Sequence, residues 1–197
     1  MTTRRVAWRR SDEVQADEHC TINLRDSGLS LIGTVLGAED GLPVRVEYRV
    51  LADAAGATTV VHVRDLRGFA QRTLTLARDA KGGWTRDGVA VKGLKGCVDV
   101  DLGCSPSTNT LPIRRLRLAV GATKIIQAAW VQFPSLEVVK AKQTYARLDE
   151  FTYRYSSGTF EAELVVDDDG VVAQYAAWEQ TAVAVGREDS EPLDAVG

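Results

Sequence analysis

Apolar and polar residues alternate with a period of two along most of the chain, a pattern typical of strands with one face in a core and the other in water. The alternation is clearest over 44–50, where charged residues separate four apolar ones. It recurs over 59–66 and 72–78, and again in 124–133, 136–148, 151–155, 159–166 and 171–185. These segments predict half-buried antiparallel strands and leave little of the chain for long helices.

Polar, glycine-containing turns separate the predicted strands. They occur at 26–28, 38–41, 81–83, 156–158 and 167–170, and each supplies glycine where a tight turn needs a positive φ. We therefore expect neighbouring strands to pair as hairpins in a meander. The turn at 167–170 reads Asp-Asp-Asp-Gly, but it lacks the other ligands of a calcium-binding loop, so we interpret it as a hairpin turn.

The chain has two halves of similar plan. Each is a hairpin-rich run that ends in a tryptophan-containing strand, at Trp84 and Trp178 respectively, so an internal duplication is one hypothesis. With 197 residues, 45% of them hydrophobic, the chain is long enough to bury a core as one domain. We expect a single β-rich domain over 1–185, followed by an acidic, proline-containing tail over 186–197.

Charge excludes some partners. The 24 basic and 27 acidic residues give a net charge of -3 and are interleaved along the sequence, whereas a nucleic-acid-binding surface needs clustered lysine and arginine. No apolar run follows the arginines near the N-terminus as a secretory signal requires, and no uncharged segment approaches the ~20 residues that span a bilayer. These features predict a cytoplasmic protein without a transmembrane segment.

Cysteine and histidine are too few for a recognisable metal site. Cys20, Cys97 and Cys104 are odd in number and lack metal-ligand spacing, so reduced thiols are expected. His19 and His62 are the only two histidines and are expected to be structural or surface groups. The sequence therefore predicts neither a metal nor a cofactor.

The most informative segment is 97–118. Alternating apolar residues predict a strand over 98–102, a turn follows at 103–107, and Thr110 and Pro112 predict the start of a short helix whose next residues are two arginines. A strand-turn-helix corner with polar residues at its apex is a common position for a functional site. The segment is therefore the first place to look for chemistry.

This segment also resembles a known family. Val-Asp-Val-Asp-Leu-Gly at 98–103 and Ser-Pro-Ser-Thr-Asn-Thr-Leu-Pro-Ile-Arg-Arg at 105–115 are similar to the signature of the putative glycolipid-binding protein family, a bacterial group first catalogued as a domain of unknown function. Further similar stretches lie at 6–10, His19, 82–88, 153–155 and 162–170. The resemblance implies an antiparallel sheet curled into a partial barrel with one or two short helices, similar to bacterial lipoprotein carriers. It supplies no catalytic residues.

The corner could hold an anion or a lipid headgroup. If Thr110 caps the helix, free backbone N–H groups face the turn, and Arg114 or Arg115 could grip phosphate, carboxylate or sugar hydroxyls. The alternative is that the aspartates on the strand pair with these arginines while Asn109 and Thr110 satisfy turn amides. Strand aromatics such as Trp130 could line an apolar cavity or fill a solid core. The candidate ligand-binding residues are Asn109, Thr110, Arg114, Arg115, Asp99, Asp101 and Trp130.

Two catalytic hypotheses and one structural hypothesis compete with the ligand-binding hypothesis. Ser105 lies in a strand-to-helix turn like a nucleophile elbow, but Ser107 stands where the motif needs glycine and Pro106 removes an oxyanion-hole N–H. Asp99 and Asp101 share one strand face and could form an acid/base pair. An exposed sheet edge could instead pair with another chain. The leading hypothesis is a non-catalytic protein that binds a lipid, a glycolipid or another amphipathic small molecule.

Overall fold

The computed structural model describes residues 1–12 and 14–187. These residues form fifteen strands, one α-helix and two 3₁₀ turns, so the predicted mainly β fold is confirmed. The strands are β1 (Thr2–Arg10), β2 (Ala16–Arg25), β3 (Gly28–Glu39), β4 (Leu42–Asp53), β5 (Thr58–Arg67), β6 (Ala70–Arg78), β7 (Trp84–Arg86), β8 (Val89–Ala90), β9 (Asp99–Leu102), β10 (Thr123–Val131), β11 (Val138–Arg147), β12 (Thr152–Ser157), β13 (Phe160–Val166), β14 (Val172–Tyr175) and β15 (Trp178–Arg187). The helix is α1 (Thr110–Leu116), and the 3₁₀ turns are Lys92–Leu94 and Ser107–Asn109.

All of these strands belong to one curled sheet. Its order is β8-β7-β6-β5-β4-β3-β2-β1-β15-β14-β13-β12-β11-β10-β9, so the first and last described strands pair and join two meanders. Neighbouring strands are antiparallel except β9 and β10, which are parallel. The parallel pair arises because segment 97–118 crosses between the two meanders instead of turning back in a hairpin. Within the described residues the sheet is open, which agrees with the predicted partial barrel.

The first core cluster fills the concave side of β1 to β6. In β4, Val46, Tyr48 and Val50 are buried, whereas the preceding Arg45 and the intervening Arg49 are exposed. The alternation in sequence is thus the alternation between core and solvent, and each large apolar side chain buried this way contributes about 1.5–3 kcal/mol. The same cluster also contains Trp8, Cys20, Ile22, Leu31, Leu74, Leu76 and Trp84.

A second core cluster lies under β10 to β14 and contains mainly tyrosine and aliphatic side chains. Segment 97–118 runs between the two clusters. Val100, Leu102 and Leu111 pack in the first cluster, whereas Ile113 packs in the second. The segment is therefore a central element of the domain and not a surface corner.

Backbone hydrogen bonds attach this segment to both meanders. Thr58 N–H donates to the carbonyl oxygen of Val98 at 3.0 Å, and Val98 N–H donates to that of Gln127 at 3.3 Å. Val100 N–H donates to Thr58 Oγ1 at 3.1 Å. The segment thereby connects β5 to β10, two strands that lie far apart in the sheet order, and these bonds hold the sheet in its curl.

Candidate functional site

A cleft of about 920 Å³ opens at one end of the curled sheet, beside the C-terminal end of α1. Turns from both meanders form its walls. It is lined by Leu24, Arg25, Asp26, Gly28 and Leu29 around the β2–β3 turn; Ala52, Asp53, Ala54, Ala55 and Gly56 around the β4–β5 turn; Leu111, Ile113, Arg114, Arg115 and Arg117 of α1 and its end; Arg147, Glu150, Phe151 and Tyr153 around the β11–β12 turn; and Val166, Asp167, Asp168, Asp169 and Gly170 around the β13–β14 turn.

Two glycines let these turns approach α1 closely. Gly56 and Gly170 have φ values of +80° and +72°, in the left-handed region that favours glycine. A Cβ at Gly56 would lie 3.0 Å from the Cβ of Arg115, and one at Gly170 would lie 3.2 Å from the Cγ of Arg114. One turn from each meander therefore packs against an arginine stem of the helix, which sets the position of both side chains.

Several carboxylates near the cleft already have partners. The buried Arg4 forms ion pairs with both Asp167 and Asp169. Asp167 Oδ1 also accepts the N–H groups of Asp169 and Val171, each at 3.0 Å. Asp53 Oδ1 accepts the N–H groups of residues 55 and 57, each at 2.9 Å. These interactions shape the turns and use much of the hydrogen-bonding capacity of the acidic side chains.

Arg115 pairs with the buried Asp99. Its Nε donates to Asp99 Oδ1 at 3.0 Å, and a second nitrogen donates to Oδ2 at 2.5 Å, a bidentate geometry. Burial raises the pKa of Asp99, and the hydrogen bonds and positive charge of Arg115 oppose that shift. Of the two aspartates expected to pair with the arginines, Asp99 does so. Asp101 instead accepts a hydrogen bond from Gln143 Nε2 at 2.6 Å.

Arg114 and Arg147 at the cleft donate hydrogen bonds to backbone carbonyl oxygens. Arg114 donates to the carbonyl oxygen of Asp169. Arg147 donates to the carbonyl oxygens of residues 118, 149 and 150 at 2.7, 3.1 and 2.6 Å, and its guanidinium lies 5.6 Å from the ring centroid of Tyr153. Across residues 1–12 and 14–187, neither these two nor Arg117 forms an ion pair with a carboxylate. The cleft therefore presents guanidinium groups with spare donors.

The structure separates the predicted site residues. Arg114 and Arg115 line the cleft, and Asp99 lies behind Arg115. Asn109 is buried and accepts a hydrogen bond from Tyr145 Oη at 2.8 Å, while Asp101 and Trp130 are half-buried away from the cleft. Burial raises the pKa of Asp101 to about 6, with opposing hydrogen bonds from Gln143 and Tyr155. The seven residues do not form one site.

The predicted capping role of Thr110 is wrong. Thr110 lies inside the first turn of α1, and the preceding residue Asn109 occupies the N-cap position without a side-chain cap among the described residues. The Thr110 hydroxyl is buried and has no hydrogen-bond partner in the described part of the chain. The chain enters α1 directly from a 3₁₀ turn, so helical backbone geometry already begins before Thr110 and places its side chain in the interior.

The turn at 103–107 forms a polar cluster in the interior. Ser105 Oγ donates to Glu18 Oε1 at 2.8 Å and lies 2.7 Å from Ser107 Oγ. Tyr48 Oη donates to the same carboxylate oxygen and lies 2.7 Å from Ser107 Oγ. A Cβ at Gly33 would lie 2.2 Å from Tyr48 Cζ, so only glycine leaves room for this ring. We call Glu18, Tyr48, Ser105 and Ser107 the interior cluster.

The interior cluster is closed to solvent. None of its four residues is more than 6% exposed. Burial raises the pKa of Glu18 to about 7, with opposing hydrogen bonds from Tyr48 and Ser105, and Glu18 Oε2 has no partner within the described residues. A Ser105 nucleophile would need a base such as histidine, and the two histidines of the sequence, His19 and His62, are exposed on the outer face of the sheet. Ser105 is therefore not paired with a histidine base as in a serine hydrolase, and the nucleophile hypothesis for Ser105 is wrong.

The sequence did not identify every residue of the cleft and of the interior cluster. Glu18 and Arg4 lie at inward positions of alternating strands, and a charged residue in such a register is a signal that can be read from the sequence. Arg117 and Arg147 give no comparable signal, because charged residues at element ends are ordinary surface residues in most proteins. Only the folding of α1 against the β11–β12 turn brings them to one cleft.

The part of the chain that the structure describes has neither a clustered metal-ligand set nor a membrane-spanning helix. No group of three or more His, Cys, Asp or Glu side chains in it is arranged to hold a metal ion. Cys20 and Cys97 are buried, Cys104 is half-buried, and all three are free thiols. None of its helices has the length and apolar character needed to cross a membrane.

Comparisons with known proteins identify the family. The model of the family described as "Putative glycolipid-binding" matches residues 5–180. The crystal structure of a DUF1089 family protein from Pseudomonas aeruginosa is 34% identical in sequence, with a TM-score of 0.74 over 85% of this chain and 91% of the other. No curated protein matches the chain significantly. The chain therefore belongs to the putative glycolipid-binding family.

Proposed function

We propose that the protein is a non-catalytic binding protein for an amphipathic small molecule, such as a glycolipid, whose polar headgroup occupies the cleft. The observation that carries the proposal is the composition of the cleft wall. Guanidinium and carboxylate groups stand beside aliphatic and aromatic side chains in one concave site of about 920 Å³. Its volume lies in the range of about 300–1,000 Å³ that is usual for small-molecule sites.

The polar wall suits a sugar. Sugar hydroxyls both donate and accept hydrogen bonds, so a site with arginine donors and aspartate acceptors can satisfy them from both sides. Phe151, which is 37% exposed, adds an aromatic ring at the same wall, and a ring face is apolar enough to pack on the C–H face of a sugar. This combination favours a glycosylated headgroup over a purely apolar ligand.

The acyl chain is assigned to the apolar side of the cleft. Large side chains fill the interior of the sheet, among them Trp8, Leu31 and Leu74, each less than 2% exposed. Leu24, Leu29 and Ile113 line the cleft itself, and Leu148 and Phe151 are each 37% exposed near it. We infer that an acyl chain follows these residues outward instead of entering the barrel.

The proposal extends to the location of the protein and to the absence of a catalytic role. The three free thiols support the predicted cytoplasmic location, since reducing compartments keep thiols unpaired. An enzyme using Ser105 or the pair of Asp99 and Asp101 has no specific support, because Ser105 and Asp99 are buried in hydrogen bonds to Glu18 and Arg115. We therefore propose ligand binding, and not catalysis, as the function.

Native mass spectrometry with a detergent titration tests the proposal. The probe is n-dodecyl maltoside, which carries a sugar headgroup and one acyl-like chain. We expect saturable binding of one molecule and at least a tenfold loss of affinity in Ala55→Trp, which fills the cleft from an exposed turn position. The matched control is Ala80→Trp, an exposed turn position outside the cleft. Equal binding by both variants, or no saturable binding by the native protein, would overturn the proposal.

A further inference from the structure

We infer that the headgroup bound in the cleft is anionic, carrying a phosphate or carboxylate group held by Arg114 and Arg117 at the end of α1. This inference rests on the proposed binding function and names the chemical class of its ligand. It is carried by the difference between the cleft's carboxylates and its arginines. The carboxylates of its inner wall have partners inside the protein, whereas Arg114, Arg117 and Arg147 form no ion pair with a carboxylate among the described residues.

The carboxylates nearest to α1 are already neutralised or bonded. Asp167 and Asp169 share the buried guanidinium of Arg4, and Asp99 holds Arg115 in a bidentate pair. Asp53 accepts two N–H groups of its own turn. The other acidic residues that line the cleft, Asp26, Glu150 and Asp168, are exposed at its rim. The carboxylates of the inner wall are therefore already paired or hydrogen-bonded within the protein.

The arginines of the inner wall keep their charge. Arg114 and Arg147 are half-buried, and within the described residues both donate hydrogen bonds to backbone carbonyl oxygens and to no carboxylate. A partly buried guanidinium loses hydration, and the two carboxylates that act on Arg114, Asp169 and Asp167, are already shared with Arg4. An additional anion is therefore favourable there. Burial lowers the pKa of Arg114, and the positive charges of Arg117 and Arg4 lower it further while Asp169 and Asp167 oppose the shift. An anionic group would relieve this repulsion.

The backbone at Arg117 supplies an independent observation. Arg117 ends α1 with a φ of 45°, a left-handed conformation in which its N–H donates to the carbonyl oxygen of Ile113 at 3.3 Å. Helices usually place glycine at this position because other residues are disfavoured there. Five non-glycine residues in the described part of the chain have a positive φ, and Arg117 is the one of them that lines the cleft. Its strained backbone is therefore compatible with a functional use of its side chain. The guanidinium of Arg117 is the group that glycine would lack.

A structural role for these arginines makes a different prediction. Basic residues near the C-terminal end of a helix interact favourably with the helix dipole. If that were their purpose, Arg117→Gly would lower the melting temperature and leave ligand affinity unchanged. If Arg117 binds an anion, the same substitution keeps or raises the melting temperature and reduces affinity. The two roles are thus distinguished by one variant.

Two detergents that differ in one group test the inference. Octyl glucoside and octyl glucuronide share a sugar ring and an alkyl chain, and only the glucuronide carries a carboxylate. By isothermal titration calorimetry we expect the glucuronide to bind at least tenfold more tightly, with the preference reduced at high salt. Arg114→Gln and Arg117→Gly should each reduce that preference by at least threefold. Arg49→Gln, which removes a charge from the exposed face of β4, is the control and should retain it.

The outcomes separate the inference from the proposed function. Equal affinity for the two detergents would overturn the anionic headgroup and leave the proposed function standing. Binding of neither detergent would overturn the proposed function and the inference with it. Inorganic phosphate is titrated in parallel. If it binds as tightly as the glucuronide, the arginines bind a free oxyanion and the headgroup assignment is wrong. A clear preference for the glucuronide over phosphate supports a lipid-like source.

Discussion

Segment 97–118 contributes to two polar regions that differ in the partners of their charged side chains. Its turn enters the interior cluster, where the hydroxyls of Ser105, Ser107 and Tyr48 surround the Glu18 carboxyl away from solvent. Its helix ends in the cleft, where Arg114 faces solvent without a carboxylate partner among the described residues. Both regions have perturbed pKa values, and only the second is accessible to a ligand.

The comparison shows that a perturbed ionisable group does not by itself mark a functional site. Burial raises the pKa of Glu18. The hydroxyls of Tyr48 and Ser105 donate hydrogen bonds to its carboxyl group, which is therefore a structural part of the core. Arg114, Arg117 and Arg147 differ from Glu18 because they line an open cleft and have no carboxylate partner among the described residues. Polar groups that the protein leaves unsatisfied at a surface are the ones available to another molecule.

Removing Tyr48 should have the largest effect on stability. Tyr48→Ala deletes a buried ring and leaves the Glu18 carboxyl without one of its donors, so we expect the free energy of unfolding to fall by about 3–5 kcal/mol. Urea denaturation measures the change. Tyr48→Phe keeps the ring and removes only the hydroxyl, so it should cost about 1–3 kcal/mol. A change within error for Tyr48→Ala would contradict the tight packing of the interior cluster.

The pH dependence of stability should reveal Glu18. Its pKa is about 7 in the folded protein against an ordinary value of 4.5, so between these pH values the folded protein binds more protons than the unfolded chain. Stability therefore falls as the pH rises from about 4.5 to 7 and levels off above it, by about 3 kcal/mol for this fully buried group.

Glu18→Gln isolates that contribution. Urea denaturation at pH 4.5 and pH 8 should show a much smaller difference in the variant than in the native protein. Asp101, whose pKa is raised to about 6, acts in the same direction and should leave a residual slope. An equal pH dependence in the native protein and the variant would show that Glu18 ionises freely in the folded state.

Asp99→Asn should have an intermediate effect. The substitution leaves Arg115 without its counter-charge. Because the Arg115 side chain is 19% exposed, we expect a loss of about 2 kcal/mol, below the 3–5 kcal/mol of a fully buried pair. Thermal and urea unfolding measure it, with Asp101→Asn as the comparison at the other aspartate of β9. Unchanged stability of Asp99→Asn would contradict a structural role of the Asp99–Arg115 pair and would favour the hypothesis that Asp99 and Asp101 form an acid/base pair.

Arg117→Gly should change stability least. Relief of the left-handed strain by glycine offsets or exceeds the added entropy of the unfolded chain, so we expect the free energy of unfolding to stay unchanged or to rise by up to about 1 kcal/mol, with no loss of melting temperature. The same variant should lose affinity for an anionic headgroup. A large loss of stability together with normal affinity would assign Arg117 to helix termination, and the cleft would then resemble the interior cluster in being structural.

Local patterns predicted the fold well. Period-two alternation located the strands, and glycine turns located the hairpins, because both signals depend on neighbouring residues. The predicted domain end at 185 lies two residues before the end of β15 at Arg187, and the rest of the predicted tail lies outside the described residues. The internal duplication stays a prediction, although β1 and β15 do join two meanders.

The candidate site was predicted only in part. Asp99 and Asp101 are equivalent in the sequence pattern, yet one binds Arg115 and the other binds Gln143. Their partners come from different elements, so spacing along the chain could not distinguish them. Arg114 and Arg115 were recognised, whereas Arg147 reaches the cleft only because the β11–β12 turn packs near α1.

The sequence alone determined the mainly β fold, the family and the importance of segment 97–118, since alternation, turn chemistry and motif are properties of neighbouring residues. Tertiary structure decided that the turn of this segment is sealed against Glu18 while the end of its helix lines an open cleft. The physical reason is that burial and charge compensation depend on contacts between distant residues. Arg4 and Asp167, for example, meet only after the sheet has curled.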